Sequence, residues 1–164
     1  NLEWTVARSD LAPWHPGRCA ELIVNGKAVA HAGELHPRIV AAYGLPERSV
    51  AFAVALGALP DSALVRPTTV GTMPAAVQDV ALIVDSKVSA ADVEGALRAG
   101  AGDLLESITL FDRYDKIGDG KISLAFTLVF RAQDRTLTGE EVSAMREAAT
   151  AVAAARFGAV VRTA

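Results

Sequence analysis

Asp115, Asp119 and Gly120, in the run YDKIGDGKIS at 114–123, stand at the first, fifth and sixth positions of a calcium-loop pattern. Such a loop needs side-chain oxygens at positions 1, 3 and 5 and a bidentate glutamate at 12. Ile117 takes the third position and Phe126 the twelfth, and neither can coordinate. Calcium is therefore not expected to bind, and Gly118 and Gly120 instead suit the positive φ of a hairpin connection. A second group of reactive types is His15, His31 and His36 with Cys19 and Glu34. It lacks the spacing of a zinc site, and His15 and His36 each precede proline, which marks loop geometry. Gly100–Asp103, GAGD, follows a helical pattern, whereas a phosphate-cradling loop precedes one. Asp112 and Tyr114 before the hairpin, and Ser123 just across it, form a third group. A tyrosine is a stacking platform for an unpaired base, and an aspartate accepts hydrogen bonds from a guanine edge. A partly buried tyrosine with a satisfied hydroxyl accounts for the same residues without RNA.

The elements that would position these residues are legible from periodicity. Apolar residues recur at every second position from Lys121 to Arg131, the period of a strand. A strand from about Leu104 to Tyr114 precedes it, and strict alternation from Ile108 and Leu110 would turn Asp112 and Tyr114 toward a helix-covered face. Only a bulge, or a strand end reaching past the helices, would set them beside Ser123 on an accessible surface. VALIVD opens the series, Ser89 and Asp92 form a helix start, and Gly100 and Gly102 are expected to stop that helix near Ala99. Thr138-Gly139-Glu140-Glu141 caps a second helix reaching about Arg156, with Val142, Met145, Ala149, Val152 and Ala153 on its core side. Gly158 and a short last strand follow. The order β-α-β-β-α-β predicts a ferredoxin-like antiparallel sheet of four strands with two helices on one face and the other face free.

Before it, the run PDSALVRPTTVGTMP at 60–74 holds three prolines and a glycine and reads as a connection. The expected division is 1–65, a linker at 66–74, and 75–164. The first part reads as mostly antiparallel β with one short helix at HPRIVAAYG, its hairpin marked by Asn25-Gly26, and its core looks incomplete. The fold class is thus α+β. With 51% hydrophobic residues and a net charge of −3, the chain should fold around a real core and should not coat RNA or DNA non-specifically. One cysteine allows no intrachain disulfide and agrees with a reducing cytosol. No apolar run is long enough to span a membrane and no signal peptide is visible, so a cytoplasmic location is expected. Asn1 opens inside an apparently structured pattern, as in a piece excised from a longer protein.

LLESITLFDRY, then GKISLAFTLVFRAQDRTLTGEEV and RFGAVVR, resemble the ferredoxin-fold anticodon-binding domain at the C-terminus of the bacterial phenylalanyl-tRNA synthetase β subunit. MPAAVQDVALIVD is similar to that domain's entry strand. HPGRCAELIVNGKAVAHAGELHP and GLPERSVAFAVAL resemble the end of the same subunit's non-catalytic, synthetase-like module. The resemblance implies a fragment of an ATP-dependent phenylalanine–tRNA ligase, an α2β2 heterotetramer whose α subunit holds ATP and Mg²⁺ and performs the chemistry. It implies no catalytic residue, metal or cofactor in this chain. The partners implied are the anticodon stem-loop of tRNA(Phe) and the α subunit, with no DNA and no membrane. It places base contacts on Asp112, Tyr114 and Ser123, with Arg113, Lys116 and Lys121 as the local cations. Three departures stand out: Gln78 where the family usually has arginine, Ile122 where it usually has lysine, and a short hairpin. Fewer phosphate-reaching cations would weaken binding and flatten its salt dependence.

Two other classes of function fit parts of the sequence. A ferredoxin-like fold also serves ligand-sensing and protein-interaction domains, which would show an apolar cleft between paired domains and indifference to anticodon sequence. A metal-dependent enzyme built on His15, His31 and His36 would carry stoichiometric metal.

Overall fold

Alternating hydrophobicity places more of this chain in strands than in helices, and a computed structural model describes residues 2–61 and 71–162. The expected linker at 66–74 lies outside the described residues as far as position 70. Backbone contacts divide the chain into two units, Asn1–Pro67 and Thr68–Ala164.

In the first unit, β1 (Thr5–Ser9), β2 (Trp14–Val24), β3 (Lys27–Leu35) and β4 (Val50–Val54) form one antiparallel sheet in that order. Asn25 and Gly26 turn the β2–β3 hairpin with φ of 50° and 75°, the left-handed pair that a two-residue turn requires. Helix α1 (Pro37–Ala42) starts where the His36 imidazole accepts the Arg38 backbone N–H. The fully buried cluster here is small: Val24, Val29 and Ala30, with Leu22 and Leu59 packed on it. Val50 and Phe52 stay about three-quarters exposed on β4.

The second unit runs β5 (Ala76–Asp85), α2 (Ala90–Ala101), β6 (Leu105–Gly118), β7 (Lys121–Phe130), α3 (Gly139–Phe157) and β8 (Val160–Val161). Its sheet order is β6-β7-β5-β8, with all three neighbouring pairs antiparallel, the arrangement expected of the split β-α-β pattern. Strand β7 sits inside the sheet, so both its neighbours bond to it. Ile122, Leu124, Phe126, Leu128 and Phe130 point to the helices and are almost wholly buried. Val80, Leu82 and Val84 do the same from β5, meeting Val93 and Leu97 of α2 and Val142, Ala149 and Ala153 of α3. Met145 and Val152 complete the predicted stripe as partly buried neighbours.

One expectation needs correction. Gly100 does not stop α2: the helix continues to Ala101, and Gly102, at φ of 79°, ends it. Gly100 serves packing instead. A Cβ there would lie 2.6 Å from the Ala148 carbonyl oxygen and 2.8 Å from the Ala149 Cα, so only glycine lets α2 approach α3 this closely. Gly100→Ala should gain about 1 kcal/mol of helix propensity but lose about 1–3 kcal/mol to overpacking. A net destabilisation of about 1 kcal/mol is expected in denaturant titration.

Helix α3 carries a complete capping box. The Glu141 carboxylate accepts the Thr138 backbone N–H at 2.9 Å, and the Thr138 hydroxyl accepts the Glu141 N–H at 3.3 Å. The Thr138 backbone bond, and after it the Thr138 hydroxyl and Arg135, hold the Glu141 carboxyl below its ordinary value of 4.5 against the opposing effect of burial. A carboxyl depressed in the native state stabilises above its unfolded pKa and loses that contribution as pH falls through the native one. Stability should therefore decline on acidification below about 4.5, and Glu141→Gln should lessen that decline in thermal melts across a pH series.

Candidate nucleic-acid interface

The face of the second sheet turned away from the helices carries the residues of interest, and a bulge puts them there. Ile108 and Leu110 of β6 pair with the core residues Leu128 and Phe126. The register then slips between Leu110 and Asp112, leaving Phe111 as the extra residue. Asp112 consequently pairs with Ala125 and Tyr114 with Ser123. Residues paired across an antiparallel ladder share a face. Ser123 and Ala125 alternate with the helix-facing residues of β7, so Asp112 and Tyr114 lie on the free face. Of the two routes open in the sequence, the chain takes the bulge.

Four strands thus contribute to successive rows on this face. One row runs Tyr114, Ser123, Ile83, Val160, and the next runs Asp112, Ala125, Ala81. Arg162 follows β8, and its backbone N–H donates to the Ala81 carbonyl at 2.8 Å, which continues the second row. The middle of the platform is built from Ser123, Ala125, Ala81 and Ile83, and the long side chains of Tyr114 and Arg162 start from its two edges. Tyr114 and Arg162 start from opposite edges of the sheet, about 14 Å apart at ordinary strand spacing. Even so, the Arg162 guanidinium carbon stands 5.6 Å from the Tyr114 ring centroid. The two side chains meet above the central strands. That contact explains why Ser123 and Ala125 are only 3% and 8% exposed on a face that no helix covers. Tyr114 itself keeps 43% of its surface.

The expected cations separate. Arg113 pairs with Leu124, a helix-facing residue, so it projects to the side opposite Tyr114, and its Nε donates to Asp115 Oδ1 at 2.9 Å. Lys121 alternates in phase with Ser123 and lies exposed at the hairpin end of the free face. Lys116 falls in a second irregularity, between Tyr114 and Gly118, where no partner fixes its register. Arg113 and Lys121 both border a depression of about 290 Å³ at the base of the hairpin, with Ser86 and Asp115. The hairpin turns through Gly118, Asp119 and Gly120, all at positive φ, and Phe126 lies wholly buried in the core.

The departures at 78 and 122 also change meaning. Both alternate in phase with the helix-facing residues: Ile122 is 3% exposed, and the Gln78 side-chain oxygen accepts from Arg146 of α3 at 3.4 Å. Neither side chain points to the free face. The expectation that Gln78 and Ile122 remove phosphate-reaching cations from the site loses its ground.

Arg162 was missed in the sequence. Nothing within the local pattern AVVRT distinguishes it, because its neighbour Tyr114 is reached only across three strand boundaries. In the first unit, the histidines do not converge. His31 stacks on Trp14 at 5.4 Å and pairs with Glu21, whereas His15 stacks on His36 at 6.4 Å. Among the described residues, no three His, Cys, Asp or Glu side chains come together as a metal site would need. Glu34 is engaged by Arg18 at 2.7 Å and by Arg48 at 2.9 Å, and these hydrogen bonds, Arg18's first, hold its carboxyl below the usual range. No described helix is long and apolar enough to cross a membrane.

The second unit's four-stranded ferredoxin-like sheet thus keeps one face free of its own helices, with Tyr114, Asp112 and Arg162 along its edges. Residues 71–162 match the ferredoxin-fold anticodon binding domain, more than half of the chain, and the chain belongs to that family. Residues 1–56 match the phenylalanyl tRNA synthetase beta chain CLM domain. The phenylalanine–tRNA ligase beta subunits of Corynebacterium jeikeium (strain K411) and Thermobifida fusca (strain YX) are 52% and 51% identical to the chain, each over 98% of it. That of Mycobacterium leprae (strain TN) is 47% identical over 92%. The chain spans about a fifth of the length of these relatives, 19% and 20% of the first two and 18% of the third.

Proposed function

We propose that this chain recognises the anticodon of tRNA(Phe) and contributes a scaffold module within a phenylalanine–tRNA ligase β subunit. The observation that carries the reading is the Leu110–Asp112 bulge, which sets Asp112 and Tyr114 beside Ser123 on a face free of helices. The first base of the anticodon stacks on Tyr114, its donor edge meets Asp112, and the Ser123 hydroxyl closes the row. Arg162 covers the same ring, so an incoming base either slides between guanidinium and phenol or displaces the guanidinium. In both cases the cation serves the site. Lys121 is placed to meet the backbone, while Arg113, on the opposite side and paired with Asp115, is the least suited of the expected cations.

The parent enzyme is an ATP-dependent ligase with the α subunit as partner, assembled as α2β2 in the cytoplasm, and ATP and Mg²⁺ belong to the α subunit. The chain by itself should activate no amino acid; phenylalanine-dependent pyrophosphate exchange above a blank would refute this. The principal test is a binding titration with an anticodon stem-loop carrying GAA against one with the first base changed. Preference for GAA is expected, and equal affinity for both loops would overturn the reading. Asp112→Ala should blur that preference more than it lowers affinity, because an acid reads a base edge rather than a phosphate. Arg162→Met should weaken binding by about 0.5–2 kcal/mol, the range of one cation–π contact, where the guanidinium stays over the stacked base, and a gain in affinity would show that the base displaces it.

A further inference from the structure

A depression of about 480 Å³ lies in the first unit, where the end of β3, helix α1 and the loop after it come together. Its wall is aliphatic, built from Leu35, Val40, Ala41 and Leu45. Local bonds bring Leu45 there. The Leu45 N–H donates to the Val40 carbonyl and the Gly44 N–H to the Ala41 carbonyl, which turns the chain back beside Val40 at the end of α1. The next turn, 46–49, closes with the Ser49 N–H on the Pro46 carbonyl at 3.2 Å. Arg48 is its third residue, at φ of 62°, a conformation that favours glycine. Strain of this kind points to a side chain kept for what it holds. Arg48 holds Glu34, together with Arg18, at 2.9 Å and 2.7 Å. One carboxylate is thus shared by two guanidiniums. One positive charge is left over, and both guanidiniums keep N–H donors that Glu34 does not use. The Arg18 and Arg48 side chains are 54% and 76% exposed, so those donors are open to a ligand. Glu47 borders the same depression. Among the described residues no ion pair joins it to Arg18 or Arg48, both of which go to Glu34. His15, the remaining polar neighbour, donates its Nδ1–H to the Pro16 carbonyl at 2.7 Å. The rim therefore offers one surplus cation and one free acid beside an aliphatic wall.

We infer that this depression binds a free α-amino acid with an aliphatic side chain. The ligand carboxylate meets the Arg18 and Arg48 donors, its ammonium meets Glu47, and its side chain lies against Val40, Ala41 and Leu45. An α-amino acid carries its two charges on groups joined through a single carbon. That suits an acid and a cation supplied by consecutive residues, Glu47 and Arg48. A ligand with a carboxylate alone would leave Glu47 unmatched, and one with an amine alone would face the surplus positive charge. The volume falls within the range of small-molecule sites, and an apolar wall with a few placed polar groups is their usual composition. The inference is independent of the anticodon reading, since it concerns the first unit alone and no RNA enters its test.

The test titrates the full 164-residue chain with L-leucine and follows its backbone amide signals by NMR. The signals of Leu45, Glu47 and Arg48 should move, with a Kd on the order of 1 mM. Isocaproate is leucine without its amino group, and isoamylamine is leucine without its carboxylate. Each should bind about tenfold more weakly than leucine. Glu47→Gln should bind leucine and isocaproate equally. Arg48→Gly should lose about tenfold in affinity for leucine, because it leaves one guanidinium to one carboxylate and removes the surplus charge. It should stay folded in thermal melts, since glycine suits the φ of 62° that the arginine occupies. If leucine moves none of these signals, or if isocaproate and isoamylamine bind as tightly as leucine, the inference is wrong. A folded Arg48→Gly chain that binds leucine like the unmodified one would also overturn it. Glu47→Gln alters an exposed side chain and keeps the question open to test should Arg48→Gly not fold. If that variant still prefers leucine to isocaproate, the site does not read the ammonium and the inference falls.

Discussion

Tyr114→Ala is expected to weaken binding of the GAA stem-loop by about 1–3 kcal/mol, the usual worth of one base–aromatic stack. The loss should be local. The ring leaves the platform, but Lys121 and Arg162 keep their charges, so the salt slope should stay close to that of the unmodified chain. Stability should change little, because Tyr114 is 43% exposed and its main neighbour is a side chain rather than the core. Truncation also uncovers Ser123, which is buried only because Tyr114 and Arg162 meet above it. Restoring an aromatic with Tyr114→Phe should recover most of the affinity, since stacking needs the ring and not the hydroxyl. Full affinity in a folded Tyr114→Ala chain would mean that the tyrosine has no stacking role.

Phe126→Ala is expected to have the largest effect on folding, a destabilisation of about 3–5 kcal/mol in denaturant titration. Phe126 is wholly buried on the inner strand β7, pairs with Val80 and Leu110, and belongs to the cluster shared by both helices. The backbone on either side, at Ala125 and Thr127, forms the floor of the free face. Loosening β7 should therefore lower RNA affinity as well, through the population of folded chain and not through any contact. Affinity corrected for the folded fraction should be unchanged, which separates this variant from Tyr114→Ala. A cost below about 1 kcal/mol would show that the core closes around the gap.

The calcium-like string illustrates how far one-dimensional reading reaches. Ile117 and Phe126 offer no ligand where a calcium loop needs one, and Gly118, Gly120 and the strand period after them predict the hairpin, because coordination depends on residue type and strand period is local. The same holds for the capping box at Thr138 and Glu141, the Asn25-Gly26 turn, and the order of elements that fixes the ferredoxin-like sheet. In each, the atoms that interact are within a few residues of one another. Gly100 marks the limit: a glycine near a helix end reads as a stop, and only the closeness of α3 shows that it is a packing contact.

The candidate site divides along the same line. Residue types and order determined by themselves that Asp112, Tyr114 and Ser123 flank a hairpin, and that a bulge was one of two ways to bring them to an open surface. Whether the bulge forms is decided by the register of the whole β6–β7 ladder, because Ile108 and Leu110 must stay in the core before Asp112 can leave it. Which expected positions face the site is likewise a question of sheet parity: Arg113, Gln78 and Ile122 all face away. Arg162 beside Tyr114 could be found only in three dimensions. The two lie on segments distant in sequence, and a strand's period says which residues share a face but not what stands across it.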